Sequence, residues 1–149
     1  MWLAQSMKQA VPTADADQGI STIVGDQMGV VTRGVLEGVR GAGLLVGEFN
    51  YDLEMLRSGP YPARLKERIL GRQGHLSNET GGKLAAWAVQ QGTGRVVLAH
   101  LSKENNAPGT ALTAAERAMS AIQARVGKDV ELTVAPREEN SGWMEVPGC

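Results

Sequence analysis

The sequence predicts an α/β fold, because short apolar strands alternate with amphipathic helices along most of its 149 residues. The apolar runs at residues 44–49 and 95–99 are typical of strands buried in a sheet. Between such runs the apolar residues recur at helical spacing, as in residues 113–126. We expect one domain over residues 1–149, with a poorly defined N-terminal segment at 1–18.

The strands are predicted from β-branched and alternating segments. They fall at residues 20–24, 44–49, 95–99, 130–134 and 143–146, and residues 30–32 form either a short strand or a loop. Turn residues such as Gly25 and Asp26 separate them from the helices that follow.

The helices are predicted from caps and apolar spacing. One begins at the Thr32 cap and ends at Gly41, two short ones flank the turn at 58–62, and one runs from the Ser77 cap to about Gln91. A capping box, Thr113 to Glu116, predicts the start of the last helix. That helix would bury Ala115, Met119, Ile122 and Val126.

Composition limits the classes of protein. The chain is 42% hydrophobic, has a net charge of −1 and has one cysteine, Cys149. This excludes an internal disulfide, a thiolate zinc cluster and a wholly basic nucleic-acid binder. No apolar stretch approaches the roughly 20 residues of a membrane span, and the start lacks a secretory h-region. We therefore expect a cytoplasmic protein that makes no membrane contact.

Positive charge is concentrated between residues 57 and 72. The cations there are Arg57, Arg64, Lys66, Arg68 and Arg72, against one acid, Glu67. Such a cluster is either a solvated helix face or a patch that faces phosphates.

The two histidines, His75 and His100, each begin the tripeptide His-Leu-Ser. His100 follows the apolar run at 96–99, and His75 stands between Gly74 and a helix that Ser77 would cap. Side chains at strand ends and helix starts carry much of the chemistry of α/β proteins. The positions of these two imidazoles therefore predict a functional site.

Several motifs then follow one another in a familiar order. They are Glu48 to Leu56, Gly59-Pro60-Tyr61-Pro62, Leu65 to Gly71, Gly74 to Glu79, Leu98 to Asn106 and Val134 to Arg137. From about Thr32 to Val146 the chain resembles the C-terminal half of the YycJ/WalJ-type metallo-β-lactamase-fold hydrolases. The resemblance implies the C-terminal part of an αββα sandwich, without its N-terminal half. It also implies a two-metal phosphodiesterase of the exonuclease type that uses Zn²⁺ or Mn²⁺ on nucleic acid, with DNA favoured over RNA.

The same resemblance implies roles for particular residues. His100 would be the last metal-binding histidine, and His75 would protonate or hold the scissile phosphate unless it only contacts its helix cap. Glu48 either orients His75 or is a solvent-side glutamate. The pocket would be shaped by Asn50, Asp52, Ser77, Asn78, Ser102 and Asn105, and the nucleic-acid backbone would be guided by Arg64, Lys66 and Arg68.

The chain also departs from this family. The motif His-x-His-x-Asp-His is absent, and Ala14 and Tyr51 stand where relatives have histidines. Asp26 aligns with the bridging aspartate only if one residue is inserted, so it is either a metal ligand or a turn residue. We therefore expect an incomplete two-metal site and a sheet face left exposed by the missing half.

Three explanations fit this pattern. The chain is a fragment or truncated reading frame, which we favour, a degenerate paralogue, or a protein whose site another chain completes. A second copy in a homodimer or the missing N-terminal half would be that partner. The alternative function is a non-catalytic module for nucleic-acid binding or assembly.

Overall fold

The computed structural model describes residues 21–23 and 29–137. Four parallel strands form one sheet in the order β1-β2-β3-β4. They are β1 (Ser21–Ile23), β2 (Leu44–Glu48), β3 (Arg95–Ala99) and β4 (Glu131–Val134). Because all four run the same way, their carboxyl ends meet at one edge of the sheet. The predicted α/β fold is confirmed, and the polar loops at that edge lie side by side.

Helices occupy the connections between the strands. They are α1 (Arg33–Val39), α2 (Leu53–Ser58), α3 (Ala63–Leu70), α4 (Asn78–Gln90) and α5 (Pro108–Ala121). Parallel crossovers are right-handed, so α1, α4 and α5 lie on the same face of the sheet. On that face Leu45, Val96 and Leu98 from the strands pack with Leu84 of α4 and Met119 of α5.

The opposite face of the central strands is also buried. Alternation turns Leu44, Val97 and Ala99 away from the helices, yet these side chains are only 5%, 3% and 5% exposed. The expected exposed face is therefore wrong at these positions of β2 and β3. On β4, Glu131 and Thr133 are exposed.

Most predicted elements are confirmed in position and cap. Thr32 caps α1 by accepting from the Val35 amide at 3.3 Å, and Ser77 caps α4 by accepting from the Thr80 amide at 3.1 Å. Residues 30–32 form a loop. The strand predicted at 143–146 and the segment at 1–18 lie outside the described residues.

The prediction for the last helix is wrong at both ends. α5 begins five residues before Thr113, with Pro108 in its first turn, and the Thr113 hydroxyl instead donates to the Gly109 carbonyl. Proline fixes φ near its helical value and has no amide that needs a cap, so it starts the helix earlier. The helix ends at Ala121, and Val126 is 44% exposed instead of buried.

In the described part of the chain, no helix combines the length and apolarity needed to cross a membrane.

We predict that Gly81→Ala lowers the free energy of unfolding by about 1–3 kcal/mol, measured by urea denaturation. A Cβ at Gly81 would lie 2.5 Å from the Glu48 carbonyl oxygen and 3.2 Å from the Phe49 ring. Gly38→Ala in α1 is the matched control, because nothing lies within 4 Å of its Cβ position. It should raise the free energy of unfolding by about 0.5–1 kcal/mol. Equal effects of the two substitutions would contradict the close packing of α4 on β2.

Candidate metal and catalytic site

Three loops meet at the carboxyl edge of the sheet: 49–52 after β2, 71–77 before α4, and 100–107 after β3. Backbone hydrogen bonds join them. The Asn50 amide donates to the Leu76 carbonyl at 3.0 Å, and the Ser102 amide donates to the Asn50 carbonyl at 2.8 Å. This joining brings two histidines that are 25 residues apart in the sequence, His75 and His100, to the same place.

Glu48, the last residue of β2, connects the two imidazoles. Its Oε1 atom lies 2.7 Å from Nδ1 of His75 and 2.7 Å from Nδ1 of His100. Its Oε2 atom accepts from the Leu76 amide at 3.0 Å. The glutamate is 1% exposed, and the ring centroids of the histidines are 5.2 Å apart. The predicted contact between Glu48 and His75 is therefore present, and it extends to His100.

The carboxylate is ionised despite its burial. Burial opposes the charge and by itself raises the pKa of Glu48, but hydrogen bonds from His100, His75 and the Leu76 amide together lower that pKa below its ordinary value. An ionised carboxylate only accepts hydrogen bonds, so both Nδ1 atoms carry hydrogen. The ring nitrogen left for a metal ion is then Nε2.

This arrangement suits metal-binding imidazole. Histidines that bind a metal through one ring nitrogen commonly donate the other ring N–H to a carboxylate, which fixes the tautomer and the orientation of the ring. Glu48 makes that contact with both rings at once. Its two oxygens already accept three hydrogen bonds, so Glu48 serves better as the orienting group than as a ligand.

The backbone of His100 is held in a left-handed conformation with φ at +60°. This conformation is uncommon outside glycine, and such strain concentrates at functional sites. The side-chain Nδ2 of Asn50 donates to the His100 carbonyl at 2.8 Å and stabilises this turn of the chain. Asn50 is 8% exposed, so its main contact in the structure is with the protein.

A cleft of about 680 Å³ opens beside the histidines. Among the residues predicted to bind substrate or metal, the structure brings five to its walls: Asn50, Arg68, His75, His100 and Ser102. The sequence did not single out Tyr61, Leu65, Ile69, Gln73, Lys103 or Glu104, which also line it. Leu65 and Ile69 have ordinary helix-core spacing in the sequence, and no pattern distinguishes a cleft wall from a core stripe.

Four residues predicted to shape the pocket make local contacts and do not line the cleft. Asp52 caps α2 by accepting from the Met55 amide at 2.9 Å, and Ser77 caps α4. Asn78 is 3% exposed and exchanges side-chain hydrogen bonds with Asn106 at 2.8 Å. Asn105 is 1% exposed. Their predicted substrate contacts stay predictions.

The cations of α3 differ in their surroundings. Arg64 is exposed on the helix, and Arg68 lines the cleft. The Lys66 ammonium donates to the Arg57 carbonyl at 2.7 Å and so satisfies the end of α2. Asp26 lies outside the described residues, and its predicted metal role stays a prediction.

One group of residues with atoms of metal-ligand type lies among the described residues. Glu48, His75 and His100 each offer a ligand atom, and these atoms lie within 4.8 Å of one another. A catalytic zinc site uses three protein ligands, so a two-metal centre requires roughly twice this set. Imidazole and carboxylate donors suit Zn²⁺ and accept Mn²⁺.

The solved structure of the metallo-β-lactamase fold protein YhfI from Bacillus subtilis is similar to this chain. The TM-score is 0.50 at 17% sequence identity, over 77% of this chain and 36% of YhfI. The chain therefore carries part of a metallo-β-lactamase fold. No protein-family model matches the chain.

Curated proteins are similar to part of the chain in sequence. Exodeoxyribonuclease WalJ of Streptococcus pneumoniae strains D39 and R6 is 52% identical over 59 residues, which are 40% of this chain and 22% of WalJ. Exodeoxyribonuclease YycJ of Bacillus anthracis is 44% identical over 68 residues, 46% of this chain and 26% of YycJ. The chain thus resembles YycJ/WalJ-type proteins, and the matches span about a quarter of the length of these relatives.

We predict that Glu48→Gln lowers the free energy of unfolding by about 1–3 kcal/mol, measured by urea denaturation at neutral pH in EDTA. The NH₂ group of a glutamine must point either at the two Nδ1–H groups or at the Leu76 amide. In both orientations the NH₂ group, a donor, faces another hydrogen-bond donor and loses a bond that the carboxylate accepted. Glu37→Gln is the control, because it removes only an exposed pair with Arg33 and should change stability by about 0.5 kcal/mol or less.

The stability difference between the wild type and Glu48→Gln should also depend on pH. The lowered pKa of Glu48 means that its ionisation stabilises the fold above the ordinary carboxyl pKa of 4.5. That contribution is lost as pH falls through the lower folded pKa. The free energies of unfolding of the wild type and of Glu48→Gln should therefore converge as the pH falls below about 4.5. A difference that remains undiminished at about pH 2 would contradict the lowered pKa of Glu48.

Proposed function

We propose that this chain is part of a metal-dependent phosphodiesterase of the exonuclease type, acting on DNA in the cytoplasm. The observation that carries the proposal is the pair of imidazoles held by one buried carboxylate at the mouth of a cleft. The names of the curated relatives support deoxyribonuclease chemistry. A cleft that contains Arg68 beside the histidines is suited to a phosphodiester.

His100 would hold the cation, Zn²⁺ or Mn²⁺, with Nε2 as the binding atom. When bound, such a cation lowers the pKa of a water molecule and neutralises charge on the attacked phosphate. Asp26 is the further ligand that the proposal includes. A second cation would need more donors, from the missing half of the fold or from a second chain.

His75 would act as the proton donor to the leaving oxygen, or would hold the phosphate. Its Nδ1 is committed to Glu48, so Nε2 is the atom from which the proton would move. A hydrogen on Nε2 is what a proton donor to the leaving oxygen requires. Ser102 and Asn50 would complete the polar wall, and Arg64, Lys66 and Arg68 would guide the DNA backbone.

We predict that His75→Gln and His100→Gln separate the two roles. His100→Gln should weaken Mn²⁺ or Zn²⁺ affinity at least about tenfold, because a ligand matters at least as much as its supporting groups. His75→Gln should keep the affinity and lower phosphodiester cleavage by about 10²–10⁴-fold. Metal titration and cleavage of single-stranded DNA measure the two effects.

The control for both variants is Lys83→Gln, an exposed change on α4 that leaves the cleft intact. A loss of metal affinity in the His75→Gln variant would contradict the role of His75 as a proton donor. A wild-type chain that binds no metal and cleaves no DNA would contradict catalysis by this chain.

The alternative, a non-catalytic nucleic-acid-binding module, is favoured by one observation: exposed Arg64 and the cleft-lining Arg68 share α3. It predicts DNA binding in EDTA that weakens with salt and is unchanged by His100→Gln. Sedimentation in the same buffer would show whether a homodimer forms. Binding that requires the metal would contradict this alternative.

A further inference from the structure

One wall of the cleft is apolar. Tyr61, Leu65 and Ile69 line it, and all three pack against a small cluster that contains Tyr51 and Leu56. Leu56 is completely buried and Ile69 is 8% exposed, so the wall is backed by a packed interior. Tyr61 and Leu65 are half-buried, and therefore present part of their apolar surface to the cleft.

The remaining surface of the cleft is polar and charged. Arg68 projects from α3, Lys103 and Glu104 come from the loop after β3, and the two histidines lie beside them. The cleft thus combines three surfaces: imidazoles, cations and an apolar wall that contains an aromatic ring.

A phosphodiester accounts for the imidazoles and the cations but has no group that matches the apolar wall. The part of a nucleotide that does match it is the base, which has a flat apolar face. Bases stack on aromatic side chains, and this contact tolerates any sequence because every base has a π-face. A cleft of about 680 Å³ lies within the roughly 300–1,000 Å³ of small-ligand sites.

We propose that the wall formed by Tyr61, Leu65 and Ile69 binds the base of the nucleotide whose phosphate lies at the histidines, with Tyr61 as the stacking residue. The proposal rests on the proposed DNA substrate and adds a base-binding subsite to it. A base on this wall has left the helical stack, so the subsite selects unpaired nucleotides at a single-stranded or frayed end.

The test compares two single-stranded oligothymidylates with equal numbers of phosphates, one intact and one with an abasic nucleotide at each end. Both carry an internal fluorophore, and anisotropy in EDTA measures binding without cleavage. The wild-type chain should bind the intact strand about 5- to 150-fold more tightly. Tyr61→Ala should bind both strands equally, whereas Tyr61→Phe should keep the preference.

Two further variants keep the test sharp. Tyr61→Leu retains apolar packing but removes the ring, so it should also lose the preference without unfolding. Arg68→Gln should weaken the binding of both strands by the same factor. It should also reduce the slope of log affinity against log salt concentration by about 0.7.

The outcomes separate the two proposals. If the wild type binds both strands equally, the base subsite is wrong while DNA binding stands. The base subsite is also wrong if Tyr61→Leu keeps the full preference for the intact strand. If a folded wild-type chain binds neither strand in EDTA and does not cleave the intact strand with Mn²⁺, the DNA substrate and the subsite both fail.

Discussion

The buried carboxylate of Glu48 is the interaction on which the site depends. It receives hydrogen bonds from His75, His100 and the Leu76 amide, so one side chain at the end of β2 fixes both imidazoles and the loop before α4. An unpaired charge at 1% exposure would be costly, and three donors remove that cost. The same contacts determine the tautomer of both rings. The chemistry of His75 and His100 is therefore coupled through a residue that itself has little access to substrate.

Other features of the sheet edge keep Glu48 and its partners in register. α4 packs so closely on β2 that Gly81 has no room for a side chain near the Glu48 carbonyl. Asn50 holds the strained backbone of His100, and the Asn78–Asn106 pair ties the start of α4 to the loop after β3. Asn78, which was predicted to shape the pocket, thus lies one layer behind it, whereas Asn50 both holds this backbone and lines the cleft. The amides of the Asn78–Asn106 pair satisfy buried backbone and side-chain groups, and neither of these two residues lines the cleft.

Much of the fold followed from local rules. The strands at 44–49 and 95–99 and the caps Thr32 and Ser77 were predictable, because apolar runs and capping hydroxyls act within a few residues. The start of α5 was not predictable. Pro108 and the capping box at Thr113 are both signals for a helix start, and the sequence does not show which of the two begins the helix. The apolar cleft wall was missed for a related reason. Leu65 and Ile69 have the spacing of core residues, and only packing decides which side of a helix meets an open cleft.

By itself, the sequence determined that this chain is α/β, that it resembles YycJ/WalJ-type proteins, and that His75 and His100 follow local signals typical of a site. Only the tertiary structure decided that the two histidines share one carboxylate, and that Arg68 lines a cleft beside them while Asn78 and Asn105 do not. These relations join residues from separate connections of the sheet. Parallel pairing of β2 with β3 brings those connections to one edge, and contacts between segments so far apart in sequence have no local signature.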